Sequence, residues 1–295
     1  MASANLTRYA WLSIATAFVT LSLKVWAYYL TNSVGMLSDA IESIVNVGAA
    51  IMALTMLTIA ARPADDDHAF GHSKAEYFSS GVEGALIFIA ALSIIWAAWP
   101  RLLHPQAIEP LNWGFVISLF ASVLNFATAM ILLQAGKKYH SITLEADAHH
   151  LMTDVWTSVG VLVAIGAIAL TGWYILDAVI AIGVALNILW TGWQLLYRSV
   201  NGLMDAALPV EEIEHICQIL DKYAASEGIA YQSLKTRQAG SRKFVSVHIL
   251  VAGDWTVQKA HDLIDIIEMD IEESLFGCHV LTHLEPIESP STHHF

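Results

Sequence analysis

Six apolar stretches, near residues 9–30, 34–60, 79–100, 112–134, 143–170 and 174–198, fill most of the first 200 positions of this 295-residue sequence. A hydrocarbon core of about 30 Å takes about 20 helical residues to cross, and each stretch reaches that length. A backbone inside lipid has to satisfy its own N–H and C=O groups, so runs of this length read as membrane-spanning helices. The composition agrees, with 56% hydrophobic and only 14% charged residues. Breaks fall at Asn32-Ser33, Arg62-Pro63-Ala64-Asp65, Pro100 to Pro110, Gly136-Lys137-Lys138 and Thr171-Gly172, mostly turn residues. The start, Met1 to Tyr9, is short and polar and runs straight into the first span, so no signal peptide is expected.

With six alternating spans, Arg8, Arg62, Lys74, Lys137, Lys138 and Arg198 fall on one side and Arg101 alone on the other. Basic residues favour the cytoplasmic side, so both termini are expected in the cytoplasm. Lys24, inside the first span, is expected to pack inward or snorkel. Two cysteines, Cys217 and Cys278, with no Cys-x-x-Cys pair, give neither a disulfide framework nor a thiolate metal motif.

After about Pro209 the pattern changes. Pro209 to Ser226 is an amphipathic helix with acidic residues at its start, Ile229 to Gln238 and Lys243 to Val251 are strands around an Ala-Gly-Ser turn, Val257 to Phe276 is a second helix, and His279 to Glu285 a third strand. The expected fold is an all-α six-helix transmembrane domain over 1–205, followed by a small cytoplasmic α+β domain (αββαβ, metallochaperone-like) over 206–288 and a flexible tail over 289–295. Residues 201–295 carry 15 Asp or Glu against 6 Lys or Arg. Such a surface excludes nucleic acid as a partner and suits attraction of cations.

Two helical segments repeat a polar pattern: Ser38-Asp39-Ala40-Ile41-Glu42 to Asn46, and Ala146-Asp147-Ala148-His149-His150 to Asp154. Positions i, i+3 and i+7 share a helix face, so Asp39, Glu42 and Asn46 line one stripe and Asp147, His150 and Asp154 another. Ionisable groups at membrane depth are costly unless they meet partners, water or an ion. Glu42, Asn46, His150 and Asp154 together offer four oxygen and nitrogen ligands, a set that suits zinc, iron or cobalt. Asp65, His68 and His72, in the loop after span two, are spaced to gather round one further ion. In the tail domain His283 and Glu285 point to one strand face, with His248 mid-strand and His261 early in a helix, a second candidate metal set. No metalloprotease His-Glu-x-x-His run or nucleophile motif is present, and the chain is not expected to be an enzyme.

The loop run Phe70-Gly71-His72-Ser73-Lys74-Ala75-Glu76, the segment Glu145-Ala146-Asp147 to Asp154 ending in His-x-x-x-Asp, and Leu234-Lys235-Thr236-Arg237-Gln238-Ala239-Gly240 with His283-x-Glu285-Pro286 carry a family likeness. Over nearly its whole length the chain resembles the cation diffusion facilitators, most of all their bacterial ferrous-iron and zinc efflux branch. The resemblance implies a homodimeric antiporter that exports divalent cations, zinc or iron first among them, against protons by alternating access. It implies a transport site of Glu42, Asn46, His150 and Asp154, a loop site of Asp65, His68 and His72, a tail-domain site of His248, His261, His283 and Glu285, and a charged pair of Lys74 and Asp205 that locks the protomers beside the membrane. Three positions depart from the family pattern: Glu42 stands where Asp or His is usual, Asn46 where Asp is usual, and Gln232 where this branch often has a histidine. The weakened ligand set leaves an organic cation as the alternative substrate.

Overall fold

The computed structural model describes residues 3–31, 34–105 and 113–287, with side chains over 6–30, 40–105 and 116–287. Asp39 and the tail expected over 289–295 lie outside those side chains. The chain divides into two compact units, 1–200 and 201–295.

The first unit holds six helices: α1 (Ser3–Thr31), α2 (Val34–Ala60), α3 (Ala75–Leu103), α4 (Trp113–Tyr139), α5 (Ile142–Thr171) and α6 (Ile175–Leu203). All six contain windows apolar and long enough to cross a membrane. All but α2 run past at least one end of the apolar stretch that announces them, because helical hydrogen bonding continues past the hydrocarbon boundary. The break expected at Pro100 is displaced for the same reason. Proline sits in the last turn of α3, and His104 N–H closes that turn on the Pro100 carbonyl at 2.9 Å. A proline there removes one hydrogen bond at a fraying end, which the helix tolerates.

Helices α1, α2, α4 and α5 pack on one another in a closed ring, with α3 against α2 and α5. Small residues let the outer pair approach: a Cβ on Gly84 of α3 would stand 3.0 Å from Leu195 Cβ, and one on Gly192 of α6 would stand 2.9 Å from the Phe88 amide nitrogen. With lipid as solvent such close packing, not the hydrophobic effect, drives helix association. The lipid-facing surface keeps large apolar groups such as Trp96, Leu170 and Trp190 exposed.

The second unit runs α7 (Val210–Glu227), β1 (Ala230–Ala239), β2 (Arg242–Val251), α8 (Val257–Ser274) and β3 (Cys278–Pro286), the expected αββαβ order. The sheet order is β1-β2-β3, with β1 antiparallel and β3 parallel to the central β2. Val245, Val247, Ile249 and Val251 alternate onto one face and join Ile216, Leu220, Ile264, Ile267 and Ile271 of the helices in one core. Both helices thus cover one sheet face and leave the other for polar groups.

Candidate functional site

The ring of four helices meets at Asp154. Its Oδ2 accepts a hydrogen bond from Asn46 Nδ2 of α2 at 2.8 Å and another from Asn125 Nδ2 of α4 at 2.8 Å. Lys24 Nζ of α1 stands 3.7 Å from the same oxygen. Asn46 turns its other atom to α5, where His150 Nε2 lies 2.9 Å from Asn46 Oδ1. An amide oxygen can only accept, so this contact fixes the imidazole proton on Nε2 and leaves the lone pair on Nδ1. That Nδ1 is buried and has no hydrogen-bond partner, and Asn125 Oδ1 is in the same condition. Lys24, Asn46, Asn125, His150 and Asp154 are each under a tenth exposed. Unused acceptors beside a buried carboxylate make a cradle for a cation, since each such atom otherwise forfeits a hydrogen bond.

Of the four residues read as a transport site, the structure brings Asn46, His150 and Asp154 into one hydrogen-bonded chain. Glu42, one turn from Asn46 on α2, is exposed. Asp147 is 1% exposed on α5, close to the Ser13 hydroxyl and within electrostatic reach of Glu83, which is itself fully buried on α3. One oxygen of each carboxylate lacks a hydrogen-bond partner.

In the loop between α2 and α3, Asp65 Oδ1 accepts the His68 backbone N–H at 2.7 Å and lies 3.2 Å from His68 Nδ1. His72 Nε2 lies 3.4 Å from Asp65 Oδ2, and the ligand atoms of all three residues fall within 4.8 Å of one another. His72 Nδ1 faces the Pro63 carbonyl at 3.3 Å. A proton on that nitrogen leaves the Nε2 lone pair for an ion, the orientation that metal-binding histidines take from a carbonyl behind them. Gly71, at φ 81°, turns the chain so that His72 folds back onto Asp65. Slight burial raises the Asp65 pKa, but the His68 backbone and ring and the His72 charge outweigh it and hold the carboxyl below its ordinary value. Among the described residues this loop is the one cluster of three His, Cys, Asp or Glu whose ligand atoms already converge.

On the open face of the tail-domain sheet, Glu285 gathers its neighbours. Its Oε1 lies 2.8 Å from His248 Nδ1 and 3.8 Å from His283 Nε2, and its Oε2 accepts from Gln232 Nε2 at 2.8 Å. The β2–β3 register pairs His248 with His283, whose rings stand 5.0 Å apart. His261 is elsewhere: it is exposed on α8, 3.4 Å from Asp265, and α8 covers the opposite sheet face. Lys74 stands at the N-cap of α3, while Asp205 accepts from Arg237 at 3.0 Å.

The model of the cation efflux transmembrane domain matches residues 10–204, and that of the cation efflux protein cytoplasmic domain matches 208–287. The chain belongs to the cation diffusion facilitator family. It is therefore a multi-pass membrane protein of a cation-transporting family, and its likeness to relatives runs end to end. It is 51% identical to the uncharacterized transporter sll1263 of Synechocystis over 98% of this chain and 94% of that one. It is 30% identical to the cation-efflux pump FieF of Klebsiella pneumoniae over 95% of this chain and 92% of that one. A solved structure of the transporter CzrB in its zinc form matches 29% of this chain and 96% of that one, with 34% identity and a TM-score of 0.27.

Sequence reasoning overlooked Asn125 and, although it expected Lys24 to pack inward or snorkel, did not join it to Asp154. Asn125 sits alone in the apolar run Leu124-Asn125-Phe126, and Lys24 alone in Leu23-Lys24-Val25. A solitary hydrophilic residue at membrane depth was the available signal. Neither belongs to a stripe, so periodicity alone could not join them to Asp154.

Proposed function

We propose that this cation diffusion facilitator exports divalent metal cations, zinc or ferrous iron first, from the cytoplasm of a bacterium across its inner membrane in exchange for protons. The observation that carries this reading is the meeting of four helices on Asp154 beside the orphaned His150 Nδ1. An arriving cation takes Asp154 and His150 as ligands, with the Asn46 oxygen and Glu42 completing the set when the helices move. Metal ligands must shed protons, so loading from one side and protonation from the other alternate at the same lone pairs. His150, whose imidazole can take up and give back a proton, suits the proton-linked part.

In this reading both termini lie in the cytoplasm, residues 1–205 form the transport domain and 206–288 a regulatory and dimerisation domain. The loop site Asp65, His68 and His72 takes a second cation. The tail-domain site takes further metal at His248, His283 and Glu285, with His261 contributed at the contact between two copies of the chain, and Lys74 with Asp205 clamps the homodimer. Metal-driven proton movement in proteoliposomes tests the proposal: Asp154→Ala abolishes it while the dimer remains folded. Undiminished transport by that variant refutes the site.

A second reading, carriage of a small organic ammonium ion, draws support from the contact between Lys24 and Asp154, in which the carboxylate already accommodates an amine. Titration of the protein with zinc, iron, manganese and methylammonium separates the two.

A further inference from the structure

Asp154 is in contact with a cation that the protein itself supplies. Lys24 is 3% exposed, its ammonium lies 3.7 Å from the carboxylate oxygen, and the other groups on that oxygen are the neutral amides of Asn46 and Asn125. The positive charge of Lys24 therefore faces the negative charge of Asp154 inside the helix ring. Asn46 touches the same oxygen and adds no charge to the pocket.

We propose that Lys24 is a specificity-determining residue of the transport site: its ammonium is a tethered resident cation that substrate displaces from Asp154. This rests on the transport-site reading above and deepens it. The physical consequences follow from charge alone. A tethered ammonium competes for the carboxylate at high effective concentration, so it weakens the binding of every free cation. Its repulsion scales with the charge of the incoming ion, so it weakens divalent ions more than monovalent ones. When the ion leaves, the ammonium returns to Asp154, while the exchanged protons ride the return step on the remaining ligands. Lys24 thus lowers affinity and favours release, which a carrier needs as much as binding.

The test uses the full chain in detergent and in proteoliposomes, with Zn2+ and methylammonium as probes. Equilibrium dialysis of each protein is compared with its counterpart carrying Asp154→Ala, so that only Asp154-dependent binding is scored and the loop and tail-domain sites cancel. Lys24→Met tightens that Zn2+ binding by about tenfold or more, and tightens methylammonium binding by a smaller factor. In transport it lowers KM and kcat together, because the bound ion leaves slowly. Lys24→Arg, which keeps the charge, retains the wild-type affinity. Lys24→Gln gives the same comparison as Lys24→Met if the apolar variant does not fold. Unchanged Zn2+ affinity in Lys24→Met, or an equal shift in Lys24→Arg, overturns the role of Lys24 and leaves the transport site standing. If Asp154→Ala removes no binding from any of these proteins, the transport-site reading fails, and the role of Lys24 with it.

Discussion

Asn46 bridges His150 and Asp154: its Nδ2 donates to the carboxylate at 2.8 Å and its Oδ1 faces the imidazole Nε2 at 2.9 Å. One neutral side chain thereby sets the tautomer of the histidine and one of the hydrogen bonds to the acid. A carboxylate in its place would still accept from His150 Nε2–H but, with no proton to give, could not donate to Asp154.

Asn46→Asp therefore raises Zn2+ affinity and makes the empty protein less stable. Two carboxylates at hydrogen-bond distance repel unless a proton or a metal joins them. Thermal unfolding in the presence of chelator shows a lower midpoint than wild type, and added Zn2+ recovers more of it than it does in wild type. Asn46→Ala costs about 1–3 kcal/mol by stranding both partners, and Zn2+ does not restore it fully.

On the proposed reading of the loop as a cation site, acid acts on it in two stages. A histidine binds metal only in its neutral form, so acid weakens the binding of an ion at the site. The Asp65 carboxyl has a lowered folded pKa, so its hydrogen bonds to His68 support the loop at all pH values above the unfolded carboxylate range, and that support fades only as pH drops through the lower folded value. Cobalt absorption spectra of the full chain between pH 5 and 8, with His68→Ala and His72→Ala as controls, report the first stage. Amide hydrogen exchange at His68 below pH 4 reports the second.

Lys243 occupies a buried position on the core face of β2, with its ammonium 2.8 Å from Glu212 of α7 and its side chain 3% exposed. Glu212→Ala leaves that ammonium buried without its partner and destabilises the tail domain by about 3–5 kcal/mol. Replacing both together, Glu212→Leu with Lys243→Met, is close to neutral. Hydrogen exchange of the β2 amides measures both effects.

Gln232→His places an imidazole opposite His248 and beside Glu285, where Gln232 now donates to the carboxylate. Zinc binding by the tail-domain face becomes tighter, by about tenfold or more for one added ligand of this type. Isothermal titration of the full chain carrying Asp154→Ala and His72→Ala measures it without the other two sites.

Cys278 resists alkylation in the folded protein. It is 6% exposed, and burial, with Glu272 nearby, pushes its thiol up to about 11, so little thiolate exists near neutral pH. Maleimide labelling at pH 7.5 modifies Cys278 only after denaturant is added.

The six helices were legible because hydrophobicity over some twenty residues is a local quantity, and the αββαβ order because Val245 to Val251 alternates with period two between turn signals. Helix ends were less so: the run through Pro100 depends on a closing bond from His104 that no propensity announces. Spacing on one helix put His150 and Asp154 on a common face, and it put Glu42 and Asn46 together by the same rule. The structure shows Asn46 buried at Asp154 and Glu42 exposed, because a face defined by i and i+4 is wide enough to straddle the edge of a helix contact.

By itself, then, the sequence determined which segments are helices and strands and which of them carry the rare polar side chains, since both follow from neighbours along the chain. Only the tertiary structure decided that Lys24 and Asn125 converge on Asp154 and that His261 stands apart from His248 and His283. Those outcomes depend on which helices touch and by how much each is rotated about its axis, and rotation is fixed by packing between segments more than a hundred residues apart, such as α1 and α5.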